Sequence, residues 1–300
     1  MPHDDRHLLA PFRGTRPPAP AWYDAAMTTR PETGRVAVEG AGIEWLAWGP
    51  AGAAGILLVH GGWAHARWWS HIAPLLAAGR RVAALSLSGM GRSDWRDRYA
   101  VAQYGRELRA VARAAGLDAA GPPVLIAHSF GCAVAAAALA DPADWTNGAI
   151  LIDGSIDMQA GPPPAETARR RPSVFPTLDA GLARYRLIPS QPCANAHIVD
   201  GIARSSLMPV EGGYAWCFDP ALFDRLGRID SRAALRSSRR PLGFLRGDRS
   251  TIVQADHLDA LRAELPALRA VTIVDAGHHI PIDQPLALVA AIDGLLAGWP

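Results

Sequence analysis

The stretch Val124-Leu-Ile-Ala-His-Ser-Phe-Gly131 decides the fold that this chain is predicted to adopt. A short apolar run typical of a buried strand ends there, and a long alanine-rich segment typical of a helix follows. Ala127 and Gly131 stand two positions on either side of Ser129. Small side chains are needed where a sharp strand-to-helix turn brings backbone atoms together. The pattern predicts a strand, a tight turn and a helix, with the Ser129 hydroxyl exposed at the edge of a sheet.

Apolar runs of strand length recur on both sides of this stretch. Continuous runs of this kind are typical of strands that are buried on both faces of a parallel sheet. They occupy residues 56–59, 82–85, 124–127, 149–152, 242–245 and 271–274. Residues 36–40 and 43–48 instead alternate between apolar and polar side chains, which predicts an antiparallel hairpin. The chain is therefore expected to form an α/β fold with a mostly parallel central sheet and helices on both faces.

The alternation of strands and helices is interrupted between Asp153 and about Arg240, where proline clusters such as Gly161-Pro-Pro-Pro occur. This predicts an insertion at 154–240, interpreted as a helical cap on a core formed by 31–153 and 241–300. Residues 1–30 are rich in proline and arginine and are interpreted as an N-terminal arm.

Composition excludes several classes of function. A hydrophobic content of 49% with a formal net charge of +2 argues against a disordered chain and against a nucleic-acid partner. All 30 basic residues are arginine, which excludes Schiff-base, Walker-type and Ser-Lys chemistry. The three cysteines have irregular spacing, which favours neither a disulfide framework nor a zinc site. No cofactor or metal is expected.

The N-terminal sequence has no apolar core of the kind that a secretory signal needs, and no apolar run reaches the roughly 20 residues of a membrane span. A cytoplasmic protein with a small-molecule substrate and no membrane partner is therefore expected.

Two further segments carry groups that could act with Ser129. His60-Gly-Gly-Trp63 follows the first buried strand, where the amide of Gly62, together with that of Phe130, could bind an oxyanion. A simple strand-ending turn is the alternative. His278 follows the last apolar strand in Asp275-Ala-Gly-His-His279 and is the candidate general base for Ser129.

Together these residues resemble the α/β-hydrolase superfamily, in the serine-nucleophile branch with a cap insertion that includes esterases and lactonases. The resemblance covers residues 36–298. Residues 85–94, Leu-Ser-Leu-Ser-Gly-Met-Gly-Arg-Ser-Asp, are similar to the family's Asp-x-x-Gly-x-Gly-x-Ser loop, with Ser86 in place of the usual aspartate. Ala127 replaces the first glycine of the family's serine turn.

The resemblance leaves two candidates for the acid of a catalytic triad. The family commonly places this acid three residues after the glycine that ends the penultimate strand, and Ser250 occupies that position here. Asp248 lies near it in sequence. Some members instead carry the acid after the strand that follows the serine helix, where this chain has Asp153. Asp153 is the first choice and Asp248 the alternative.

The resemblance implies cleavage of an ester-like bond, a carboxylic ester or a lactone, in a small and largely apolar substrate through an acyl-enzyme. Trp63, His128 and Trp216 are the candidate substrate contacts. Arg184 and Arg186 are interpreted as residues of solvated helix faces, with carboxylate binding as the alternative. A carbon-carbon bond hydrolase or an acyltransferase would use the same triad. A ligand-binding receptor on the same fold is the alternative from another class.

Overall fold

The strands of the central sheet coincide with the apolar runs of the sequence. A computed structural model of the chain describes residues 7–141, 143–154, 173–227 and 231–299. In chain order the strands are β1 (Glu32–Val38), β2 (Ala41–Trp48), β3 (Gly55–Val59), β4 (Arg81–Leu85), β5 (Val124–His128), β6 (Gly148–Ile152), β7 (Val174–Phe175), β8 (Leu207–Val210), β9 (Gly213–Trp216), β10 (Leu242–Gly247) and β11 (Arg269–Ile273).

Eight of these strands form one sheet in the order β1-β2-β4-β3-β5-β6-β10-β11. The six strands from β4 to β11 in this order pair in parallel, and β2 pairs antiparallel with both β1 and β4. The predicted hairpin is thus one edge of a mostly parallel sheet. In such a sheet the carboxyl ends of neighbouring strands meet at one side, where α/β proteins form their ligand sites.

Helices cover both faces of the sheet. They are α1 (Ala21–Thr28), α2 (Ala73–Leu76), α3 (Val101–Ala114), α4 (Phe130–Leu139), α5 (Leu178–Leu182), α6 (Ala196–Ser206), α7 (Ser231–Ser237), α8 (Ala255–Glu264), α9 (Ile280–Asp283) and α10 (Pro285–Ala297). Short 3-10 helices occupy Ala10–Phe12, Ala66–Trp69 and Phe223–Arg225.

Successive strand residues face opposite sides of the sheet, so each face has its own core. Leu57 of β3 belongs to a cluster with Leu108 of α3 and Leu258 of α8. Leu58 belongs to a cluster on the other face, with Ile292 of α10. The expected fold class, a mostly parallel sheet with helices on both faces, is confirmed.

The chain between β6 and β10 contains more than the expected helices. Strands β7, β9 and β8 form a separate three-stranded antiparallel sheet beside α5 and α6. Ile198 of α6 packs in a third cluster with Leu9 and Tyr23 from the N-terminal part of the chain. Gly161-Pro-Pro-Pro and the rest of 155–172, with 228–230 and residues 1–6 of the arm, lie outside the described residues. Within the described parts of the chain, no helix combines the length and the apolar character needed to span a bilayer.

Candidate active site

Ser129 lies in a strained turn between β5 and α4. Its backbone has φ 54° and ψ −123°, a conformation that non-glycine residues rarely adopt. The Ser129 amide donates to the carbonyl of Ile152 at 3.0 Å, which ties the turn to the end of β6. The turn leaves the amide of Phe130 at the first position of α4, where helix amides have no partner within the helix.

Two glycines near the turn lie where other parts of the chain approach closely. A Cβ on Gly131 would lie 2.6 Å from the carbonyl oxygen of His60 and 2.8 Å from that of Val59. A Cβ on Gly61 would lie 3.1 Å from Cβ of Ser129. The segment that follows β3 is therefore packed directly against the serine turn.

His278 connects Ser129 to a buried carboxylate. It lies in the loop between β11 and α9, and its Nε2 is 2.9 Å from Oγ of Ser129. Its Nδ1 is 2.8 Å from Oδ2 of Asp153, which follows β6. Because a carboxylate accepts hydrogen bonds, Nδ1 carries the proton and Nε2 can accept from the serine hydroxyl. The structure thus brings together three residues that are up to 149 positions apart in sequence.

Asp153 is fully buried and makes two further hydrogen bonds. Its Oδ1 accepts from the Gly247 amide at 3.1 Å, and its Oδ2 accepts from the Ser250 hydroxyl at 2.5 Å. In the sequence, Ser250 stood out only because it occupies the position where the family commonly has the acid of a catalytic triad. That same substitution was the signal that a carboxylate from another strand end could face His278.

Asp248 lies away from this chain of hydrogen bonds. Its side chain is exposed, and its Oδ1 accepts from the Ala276 amide at 3.0 Å. The slight burial of the carboxyl opposes ionisation, but hydrogen bonds from backbone amides outweigh it and lower the pKa of Asp248. The described contacts of His278 include Asp153 and do not include Asp248.

The turn that carries Gly62 is held by His60. The Leu87 amide donates to Nε2 of His60 at 3.0 Å, so Nδ1 carries the proton and donates to the Gly61 carbonyl at 2.7 Å. Burial lowers the pKa of His60 to about 4, so the ring is neutral near pH 7. These bonds connect the turn to the end of β4.

A second serine that replaces a family aspartate also faces a carboxylate from elsewhere. The Ser86 hydroxyl donates to Oε2 of Glu44, on the neighbouring strand β2, at 2.9 Å. Glu44 also pairs with Arg67 at 2.8 Å. Burial alone would raise the pKa of Glu44, but the Arg67 ion pair and the Ser86 hydrogen bond outweigh it and lower the pKa.

His128 is buried, and it does not line the cavity of about 660 Å³ that opens next to the Gly62 turn. Its Nε2 donates to the His278 carbonyl at 2.9 Å. Burial, reinforced by the neighbouring rings of His278 and His279, holds the pKa of His128 well below its usual value. The sequence proposed His128 as a substrate contact, whereas the structure places it where it supports the backbone of the His278 loop.

His128, His278 and His279 are the one cluster of potential metal ligands among the described residues. Their ligand atoms lie up to 4.8 Å from one another. Both nitrogens of His278 are already engaged in hydrogen bonds. The cluster does not fit a metal ion in this arrangement.

A cavity of about 660 Å³ opens next to the Gly62 turn. Trp63 and Trp216, both proposed as substrate contacts from the sequence, line it. The Trp63 ring packs against Phe223, with centroids 4.5 Å apart. A second cavity of about 960 Å³ reaches the site from the side of His278. A carbonyl between Ser129 and the amides of Gly62 and Phe130 would lie against the first cavity, which is therefore the better candidate for the substrate.

Comparison with known proteins supports the expectation from the sequence motifs. The model of the alpha/beta hydrolase family matches residues 56–292. The chain is 27% identical over 286 residues to the esterase Rv0045c of Mycobacterium tuberculosis, an alignment that covers 89% of each chain. It is 36% identical over 111 residues to the lipase LipV of the same organism, over 36% of this chain and 40% of the lipase.

Among solved structures, the E-2-(acetamidomethylene)succinate hydrolase superposes with a TM-score of 0.73 at 20% identity, over 90% of this chain and 100% of that one. This similarity shows the fold. Because the family model spans most of the sequence, including Ser129 and His278, the resemblance seen in the motifs is confirmed. The chain belongs to the alpha/beta hydrolase family.

Proposed function

We propose that this protein is a serine hydrolase that cleaves an ester-like bond, a carboxylic ester or a lactone, in a small and largely apolar molecule. The observation that carries the proposal is the hydrogen-bonded series from Ser129 Oγ through His278 to Asp153, with separations of 2.9 Å and 2.8 Å. These are the distances at which an imidazole can take a proton from a hydroxyl and be oriented by a carboxylate.

In the proposed mechanism, His278 Nε2 takes the proton of Ser129 as the Ser129 oxygen attacks the ester carbonyl. Asp153 holds the ring in the tautomer that this step needs and stabilises the imidazolium that forms. The amides of Gly62 and Phe130 would bind the negative charge that develops on the carbonyl oxygen.

His278 then protonates the leaving alcohol, and an acyl-serine remains. Water attacks the acyl group as the same imidazole takes its proton, and the imidazolium then returns that proton to the Ser129 oxygen, which leaves as the acid product is released. The described parts of the 154–240 insertion, which carry aromatic side chains into the cavity, would act as the cap over this step. Trp63 and Trp216 would contact the apolar part of the substrate.

Labelling with a fluorophosphonate probe tests the nucleophile. We expect rapid labelling of the wild-type protein, none of Ser129→Ala and greatly slowed labelling of His278→Ala. Ser237→Ala is the matched control, because Ser237 is an exposed serine on α7 whose hydroxyl bonds only to the Ala234 carbonyl in the described structure. Labelling that persists in Ser129→Ala would place the nucleophile elsewhere.

A panel of p-nitrophenyl esters of increasing acyl length, with lactones alongside, tests the reaction. The proposal expects turnover of at least one class that is abolished by Ser129→Ala. Binding of these compounds without turnover, by a protein that the probe does not label, would instead favour a ligand-binding receptor on this fold.

A further inference from the structure

One wall of the 660 Å³ cavity is the segment that follows α5. Its side chains alternate: Tyr185 and Leu187 are buried at 7% and 2% exposure, and Arg184, Arg186 and Ile188 are exposed and line the cavity. The buried residues belong to the cluster that includes α6. This packing holds the segment in place beside the cavity, which both arginines line together with Tyr185. The arginines do not lie on a solvated helix face, as the sequence suggested.

The side chains of Arg184 and Arg186 have neither a hydrogen bond nor an ion pair with any described residue. Other arginines near the site are paired: Arg67 with Glu44, and Arg249 with Asp275. No aspartate or glutamate is among the described residues that line the cavity. Two guanidinium groups thus share one cavity, and the described part of its lining supplies no carboxylate to neutralise them.

Half of the other described residues that line the cavity are aromatic. Its aromatic residues are Trp63, Trp68, Phe175, Trp216 and Phe218, with Tyr185 at the base of the arginine segment. A wall of this kind favours an apolar body, since aromatic side chains supply large contact areas. The arginines favour an anionic group, because each guanidinium can bind a carboxylate or phosphate through two parallel hydrogen bonds.

We infer that the ester substrate carries an anionic group, a carboxylate or a phosphate, which Arg184 and Arg186 bind while the ester carbonyl lies at Ser129. This inference rests on the proposed ester hydrolysis and narrows its substrate class to an ester or lactone with an apolar middle and an anionic end. Two positive charges in a cavity with apolar walls also attract anions before they make contact. An anionic group on the substrate is therefore expected to raise the rate of substrate binding.

The test compares p-nitrophenyl monoesters of glutaric, adipic and suberic acid with the same compounds whose free carboxyl is capped as a methyl ester. Three diacid chain lengths are used so that the carboxylate of at least one compound can reach the arginines. At low ionic strength, kcat/KM of the wild-type protein for at least one free acid is expected to exceed that for its capped form tenfold or more.

The double variant Arg184→Gln/Arg186→Gln is expected to lose this preference at least tenfold, and kcat/KM for the capped esters is expected to change less than about threefold. Arg262→Gln, an exposed position on α8, removes one charge away from the cavity and is expected to keep the preference. If Arg262→Gln also lost the preference for the free acid, the preference would be a general effect of charge, and the inference would be overturned.

Phosphonate-terminated p-nitrophenyl esters of matched length distinguish the two anions. A larger arginine-dependent preference for the phosphonate assigns the site to phosphate, and a larger one for the free acid assigns it to carboxylate. Turnover of capped esters with no preference for either anion overturns this inference and leaves the proposed hydrolase intact. The absence of both turnover and fluorophosphonate labelling overturns the proposed function itself.

Discussion

The Ser250 hydroxyl donates a hydrogen bond to the Asp153 carboxylate across 2.5 Å, and Oδ2, the oxygen that accepts it, also accepts from His278. Ser250 follows β10 and Asp153 follows β6, and these two strands pair in parallel. Their carboxyl ends therefore lie side by side, so a carboxylate on either strand end can reach the same imidazole. A serine on the second strand end then supplies a donor to the carboxylate.

Ser250→Ala is expected to lower kcat about ten- to a hundredfold with little change in KM, because a hydrogen bond to a charged group contributes roughly 1.5–3 kcal/mol. Steady-state kinetics with a p-nitrophenyl ester would measure this. Ser250→Thr keeps the hydroxyl and is expected to restore most of kcat. Equal losses in the two variants would show that the position acts through packing alone.

Asp153→Asn is expected to lower kcat by about two to four orders of magnitude, because an amide cannot stabilise the imidazolium and favours the wrong tautomer. Asp248→Asn is the matched control, since it removes an exposed carboxylate that bonds only to backbone in the described structure. Its kcat is expected to stay within about tenfold of wild type. The reverse order of these two effects would transfer the acid role to Asp248.

Gly131→Ala is expected to destabilise the protein by roughly 1–3 kcal/mol, the usual range for overpacking, and to lower kcat. The added Cβ would meet the His60 carbonyl oxygen at 2.6 Å and displace the turn that carries Gly62. Gly105→Ala is the control, because Gly105 is also a buried helical glycine but its nearest neighbour would be 3.8 Å away. Denaturant unfolding measures the stability of both variants. A Gly131→Ala protein as stable as Gly105→Ala would contradict the close packing.

The buried histidines predict a loss of stability in acid. Burial lowers the pKa of His60 and of His71 to about 4 and that of His279 to about 3. Their unfolded-state pKa is about 6.5, so unfolding takes up protons below that value. The stabilisation that the neutral rings contribute is complete above pH 6.5 and is lost as the pH falls towards 4.

The free energy of unfolding, measured with urea from pH 7 to pH 4, is therefore expected to decrease by more than about 1.4 kcal/mol per pH unit below pH 6, which corresponds to more than one proton. His71→Asn should reduce this slope, since His71 lies outside the proposed catalytic residues and bonds to the Pro281 carbonyl. A stability that is constant between pH 7 and pH 5 would show that these rings are not held neutral.

Much of the fold follows from short-range patterns. The apolar runs identify the strands because a strand buried on both faces has no polar side, and the interruption after Asp153 marks where the strand-helix alternation stops. The small side chains around Ser129 predict its turn because they lie within five residues of sequence, although the atoms that require Gly131 to be small belong to the distant residues Val59 and His60. The three-stranded sheet of β7, β8 and β9 was missed, since its strands are two to four residues long and have no distinct period.

The sequence by itself determined the hydrolase fold, Ser129 as the candidate nucleophile and His278 as its candidate partner, because these depend on local turns and on chain order. The family pattern favoured Asp153 over Asp248, but only the tertiary structure decided which carboxylate faces His278, since that depends on where two neighbouring strands end. The structure also showed that two serines at positions where the family commonly has the acidic residue each face a carboxylate from a neighbouring strand or its end. Glu44 faces Ser86, and Asp153 faces Ser250. Such replacements depend on contacts between residues distant in sequence, which no local pattern records.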